Sequence, residues 1–152
     1  MIKDVTTNWR QLKARNGVYV LRGLDELYRG VVRVGVGGNK GGRRGIFARL
    51  DRHLKPWTGA RTVGTHECGP FELIRAWELA DWTPVELANG EHCLYRAFAV
   101  RFPRRTKGLP DDSLFLVPEG VDLAPALAEV QADLEAIERL RPLPATCCSE
   151  DR

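Results

Sequence analysis

Gly17-Val18-Tyr19-Val20-Leu21 is the run on which the fold turns. It is β-branched and aromatic, with Asn16-Gly17 at its start and Gly23 beyond its end, so it reads as a strand. Leu24-Asp25-Glu26 forms a short connection into residues 27–35, Leu-Tyr-Arg-Gly-Val-Val-Arg-Val-Gly, whose valines suit a second strand paired with the first as a hairpin. Residues 71–79, Phe-Glu-Leu-Ile-Arg-Ala-Trp-Glu-Leu, alternate apolar with charged or small residues over most of their length, which predicts a third, half-buried strand.

Helical spacing separates these strands and follows them. Ile46, Leu50 and Leu54 recur every four residues before Pro56, and Arg49 and His53, also four apart, project together beside that stripe. Thr83-Pro84-Val85-Glu86 combines an N-cap, a proline at the first helical position and the glutamate of a capping box, opening a helix that Pro103 ends. Along it, Leu87, Glu91, Leu94 and Phe98 share a face, so Glu91 interrupts an apolar stripe. A carboxylate there either gains a cation, metal or donor, or lies at the margin and reaches water. Leu114-Phe115-Leu116-Val117 reads as a short strand. From Asp122 a further helix carries Leu123, Leu127, Val130, Leu134 and Ile137 in steps of four and three up to Pro142. That stripe docks on the domain's own core or against a second copy or partner helix.

A chain of 152 residues holds one compact domain with a sizeable core. It has 43% hydrophobic and 28% charged residues, which excludes a fibrous repeat or wholesale disorder. No apolar run reaches the roughly 18 residues of a membrane span, and the start lacks a signal-peptide stretch, so a cytoplasmic protein without membrane partners is expected. Residues 1–76 carry net +9 and residues 77–152 net −6, which points the first half at a polyanion and the second at solvent or a protein. His66, Cys68, His92 and Cys93 include zinc-ligand types, but no CxxC or HxxxH spacing supports a zinc site.

Residues 35–45 contain six glycines and three cations, Lys40, Arg43 and Arg44, in a segment able to approach a phosphate closely. The spacing matches neither the Walker nor the dinucleotide fingerprint. A second basic cluster, Arg101, Arg104, Arg105 and Lys107, lies in a Pro- and Gly-containing loop.

In order and spacing these residues resemble the GIY-YIG nuclease superfamily, over about 90 residues from Trp9 to Phe102. Gly17-Val18-Tyr19 resembles the first motif and Arg33-Val34-Gly35 the second. Arg49 and His53 resemble the helix pair, and Glu91 the metal-binding carboxylate. Arg33 stands where the second motif has tyrosine, unless Tyr28 supplies that phenol, and Pro103-Arg104-Arg105 occupy the stretch where the family often places an asparagine.

The resemblance implies phosphodiester hydrolysis, with Glu91 holding Mg²⁺ or Mn²⁺ and Tyr19 orienting or deprotonating the attacking water. Arg33 or Arg49 would be the cation beside that phenol, Arg49 otherwise clamping a phosphate oxygen, and His53 an auxiliary base or second phosphate contact. Lys40, Arg43, Arg44, Arg52, Arg104, Arg105 and Lys107 would contact nucleic acid. The expected fold is α+β: a small mixed sheet of about three strands flanked by helices, with an added C-terminal amphipathic helix. Residues 1–108 would form the nuclease-like domain and residues 109–152 an extension ending in a loose tail. The expected function is a metal-dependent endonuclease acting on DNA. The alternative is a module that has lost the chemistry and only binds nucleic acid or recruits a partner.

Overall fold

The computed structural model describes residues 2–11, 16–23, 30–38, 45, 50, 54, 71–103 and 114–141. Five strands form one sheet: β1 (Ile2–Asp4), β2 (Gly17–Gly23), β3 (Val31–Gly37), β4 (Phe71–Leu79) and β5 (Leu114–Leu116). Their spatial order is β1-β4-β2-β3-β5, and every neighbouring pair is antiparallel. Two helices accompany them, α1 (Pro84–Ala99) and α2 (Ala124–Leu140), with a 3-10 turn at Trp9–Gln11. The fold is therefore α+β, but the expected mixed sheet of about three strands is an antiparallel sheet of five. β1 escapes detection in the sequence because three residues are too few to show alternation, and its pairing with β4 defines it.

β2 lies between β3 and β4, and its side chains divide by parity. Val18 and Val20 face one side, with Val32, Val34, Trp77, Leu79 and the apolar faces of both helices. Tyr19 and Leu21 face the other, with Val5, Trp9, Leu50, Phe71 and Ala76. β4 serves both layers because its register against β2 shifts between Val20 and Leu21, leaving Ile74 as the extra residue of a bulge. Phe71 and Leu73 thereby join the Tyr19 side, while Trp77 and Leu79 join the helical side. Simple alternation over 71–79 misses this change of phase.

The helices start as their sequences predict. Thr83 Oγ1 accepts from the Glu86 N–H at 3.2 Å, Glu86 Oε1 accepts from the Thr83 N–H at 2.8 Å, and Pro84 fills the first turn. α1 ends at Ala99, three residues before the predicted end, and Phe102 N–H still donates to the Phe98 carbonyl. α2 begins with Leu123 as N-cap, while Asp122 Oδ1 accepts from the Ala124 N–H at 2.9 Å. Leu123, Leu127, Val130 and Leu134 are buried in the helical-side core and Ile137 packs against it, so this stripe docks on the chain's own sheet and α1. Gly90 makes that helix pairing close: a Cβ there would stand 3.3 Å from Trp82 and 3.5 Å from Leu134. Between them, β5 and α2 put the described part of residues 109–152 into the same sheet and core as residues 2–103.

Leu134 is fully buried where α2 meets Gly90 and Trp82. Leu134→Ala is expected to cost about 2–5 kcal/mol by leaving a cavity. Urea unfolding should then show one transition at a lower midpoint with the slope retained, because α2 shares the core of the sheet.

Candidate functional site

Cross-strand register decides which candidate residues meet. Tyr19 pairs with Gly35 on one side and Ala76 on the other, and Leu21 pairs with Arg33. Paired residues share a face, so Tyr19, Gly35 and Arg33 all lie on the face away from α1 and α2. Tyr19 and Arg33 are diagonal neighbours, a spacing of roughly 7–8 Å between strands that a long side chain can bridge. Arg33 is half-buried between Leu21 of β2 and Leu114 of β5, and its Nε is inaccessible to solvent.

The phenol of Tyr19 does not stand upright on the sheet. Its ring end lies across Gly35 so closely that a Cβ there would overlap Cζ and the hydroxyl, and would stand 2.8 Å from Cε1. Tyr19 is 1% exposed. At the same end of the hairpin, Asn16 and Gly38 lock the strands together: Gly38 has φ +102°, and a Cβ there would approach the Asn16 Cα to 3.0 Å. The Asn16 side chain donates to the Trp82 carbonyl at 2.8 Å, and its carbonyl accepts from the Leu79 N–H at 2.7 Å.

Glu91 approaches from the other face. α1 starts beside Trp82, at the Asn16–Leu79 end of the sheet, and descends until Phe98 and Tyr95 meet Phe115 at ring separations of 5.8 and 6.2 Å. Phe115 pairs with Val32, so the C-terminal part of α1 lies over the β3–β5 pairing, with Glu91 midway along the helix. Leu87, Leu94 and Phe98 are buried, whereas Glu91 is half-buried, at the margin of their stripe. β5 ends opposite Arg33, so β3 continues past it as Val34–Gly37.

Arg49 and His53 lie outside the described residues, as do Lys40, Arg43, Arg44, Arg52, Arg104, Arg105, Lys107 and Tyr28. Between Arg49 and His53, Leu50 is helical and fully buried, and Leu54 packs on the same cluster as Tyr19. Of the residues with zinc-ligand types, His66 and Cys68 also lie outside; His92 is exposed and Cys93 is buried. Burial pushes the Cys93 thiol above its ordinary range. Among the described residues no group of three or more His, Cys, Asp or Glu converges. A Mg²⁺ held by one protein carboxylate, waters and a phosphate oxygen needs only one such ligand, which a half-buried Glu91 fits.

One residue of the Tyr19 face escapes sequence reasoning altogether. Glu78 of β4 is 6% exposed and pairs with Gly17, so its carboxyl side chain lies on the same face as Tyr19. The bulge at Ile74 sets its orientation, and no pattern in residues 71–79 announces it.

The acidic second half is partly neutralised from within. Arg96 meets Asp133 at 2.9 Å and Arg101 meets Glu129 at 2.9 Å, both between α1 and α2. Arg141 bonds Glu86 at 3.1 Å and Glu138 at 3.4 Å, donates to the Asp81 carbonyl at 2.6 Å and lies over the Trp82 ring. Asp81 sits at φ 64°, a left-handed turn between β4 and α1 that this bond holds. Four carboxylates of residues 77–152, Glu86, Glu129, Asp133 and Glu138, are thus engaged in ion pairs in the helix layer, while in the first half Arg75 pairs with Asp4 at 3.5 Å and Arg22 donates to the Pro118 carbonyl at 3.1 Å.

No protein-family model matches the chain, and comparisons with curated proteins and with solved structures find no match. No helix among the described residues is long and apolar enough to cross a membrane.

The Thr83 backbone N–H, together with Arg141, holds the Glu86 carboxyl below its ordinary range. A lowered folded-state value means that this stabilisation is complete above the unfolded glutamate range near ~4.3 and is lost as pH falls through the lowered value. Glu86→Gln should cost about 1 kcal/mol at neutral pH. Thermal melts of parent and variant should keep their full separation above the ordinary glutamate range near ~4.3 and converge only as pH falls through the lowered Glu86 value.

Proposed function

We propose that the chain is a divalent-metal-dependent endonuclease that hydrolyses phosphodiester bonds in DNA. The observation that carries this reading is Tyr19 laid over Gly35 with Arg33 diagonal to it on the same face of the β2–β3 hairpin. Glu91 is half-buried on α1, which packs on the other face of that sheet. The order of strands, with the Tyr19 strand between its hairpin partner and β4, agrees with the GIY-YIG resemblance. So does the net positive charge of residues 1–76.

Each group has a task set by its chemistry. Glu91 would hold Mg²⁺ or Mn²⁺, which when bound neutralises charge on the phosphate and assists the leaving oxygen. Arg33, permanently cationic, favours the deprotonated form of a neighbouring phenol and replaces the second-motif tyrosine with a positive charge. Tyr19 then orients or takes a proton from the attacking water. Arg49 and His53 would add a phosphate clamp and an auxiliary base, and the basic residues of 40–52 and 104–107 a track for the backbone.

A second reading draws on the burial of Tyr19. At 1% exposure the phenol is closed to water and substrate in this conformation, which favours a module that binds nucleic acid without cutting it. The two readings part in a time course on supercoiled plasmid with Mg²⁺ or Mn²⁺. The endonuclease reading expects nicking that chelator abolishes and that Glu91→Ala reduces at least about a hundredfold, with folding and most DNA affinity retained. Arg33→Gln should also slow the cut, with its pH profile displaced upward as the phenol loses its cation. Equal rates for parent and Glu91→Ala would remove the metal role, and salt-sensitive binding without any cutting would leave the binding module.

A further inference from the structure

We infer that Gly35 is a positioning residue for the Tyr19 phenol, its bare Cα being the seat on which the ring end lies. β2 and β3 pair Tyr19 directly with Gly35, so the ring has this one residue beneath it on the neighbouring strand. An added Cβ would overlap Cζ and the hydroxyl and stand 2.8 Å from Cε1, inside any real carbon contact. Gly35 is held mid-strand by its pairing with Tyr19, and Tyr19 is closed in by the cluster of Val5, Trp9, Leu50 and Ala76. A single methyl at position 35 therefore expels the ring from its site.

An aromatic ring laid over a strand glycine is a known means of covering bare backbone, and phenylalanine would serve that purpose equally. What the tyrosine adds to such a cover is its hydroxyl, which the ring end carries with it. Gly35 thus fixes the height and direction of the one side-chain oxygen on β2, on the face that Arg33 shares. Its catalytic consequence rests on the endonuclease reading; its geometric content does not.

The test uses the full chain labelled with 3-fluorotyrosine, the Tyr19 resonance being the one lost in Tyr19→Phe. In Gly35→Ala that resonance should move toward free fluorotyrosine and broaden with a dissolved gadolinium chelate, while the other resonances stay in place. An unchanged Tyr19 resonance in a folded Gly35→Ala protein overturns the inference. Should Gly35→Ala fail to fold, melting the double variant decides. In a Tyr19→Leu background Gly35→Ala should fold and melt close to Tyr19→Leu alone, and failure to fold in that background too overturns the inference. If the parent cuts plasmid, Gly35→Ala and Tyr19→Phe should share a fall in kcat with KM held. If the parent does not cut, the endonuclease reading fails while the resonance and the melting comparison still decide the role of Gly35.

Discussion

The extra residue at Ile74 sets how one sheet carries two cores. Without it, β4 would keep a single phase along its length, and Phe71 and Leu73 would point the same way as Trp77 and Leu79. With it, the lower half of the strand feeds the Tyr19 cluster and the upper half feeds the helices. β2 is buried on both faces in consequence, and its tyrosine has apolar walls instead of solvent. The same shift leaves Glu78 opposite Gly17 on the Tyr19 face, where an unbulged continuation from Leu73 would have set Trp77.

On the helical side, packing and charge act together. α1 and α2 approach closely enough that a Cβ at Gly90 would press on Trp82 at 3.3 Å and touch Leu134 at 3.5 Å, and ion pairs run along the seam. Trp77 and Trp82 carry their indole N–H groups to Gln131 and Glu138 of α2, so the two largest apolar side chains of that layer are also its polar anchors. Arg141 closes the arrangement by holding the helix start at Glu86 and the left-handed turn at Asp81.

Several particulars of the site were legible from residue type and spacing. Thr83, Pro84 and Glu86 are a local signal, each satisfying a neighbour within one turn, and they form the cap their order implies. The stripe from Leu123 to Ile137 likewise shows its buried face through periodicity alone. Glu91 stood out because a carboxylate interrupts an apolar row, whereas Tyr19 and Arg33 were singled out by the family resemblance alone. Glu78 did not stand out, because whether it faces water or a core depends on a bulge that pairing with β2 creates.

What the chain's sequence determines by itself is everything that short-range periodicity and capping can encode: the hairpin strands, both described helices, and the parity that sets Tyr19 opposite Val18 and Val20. The count and direction of strands, the change of phase within β4 and the seating of a phenol on Gly35 are decided only when distant segments pair. The reason is that register is a property of two strands at once. Alternation along one strand reports its two faces, but which residue lies beneath a ring follows from hydrogen bonding between residues 10 to 61 positions apart in the chain.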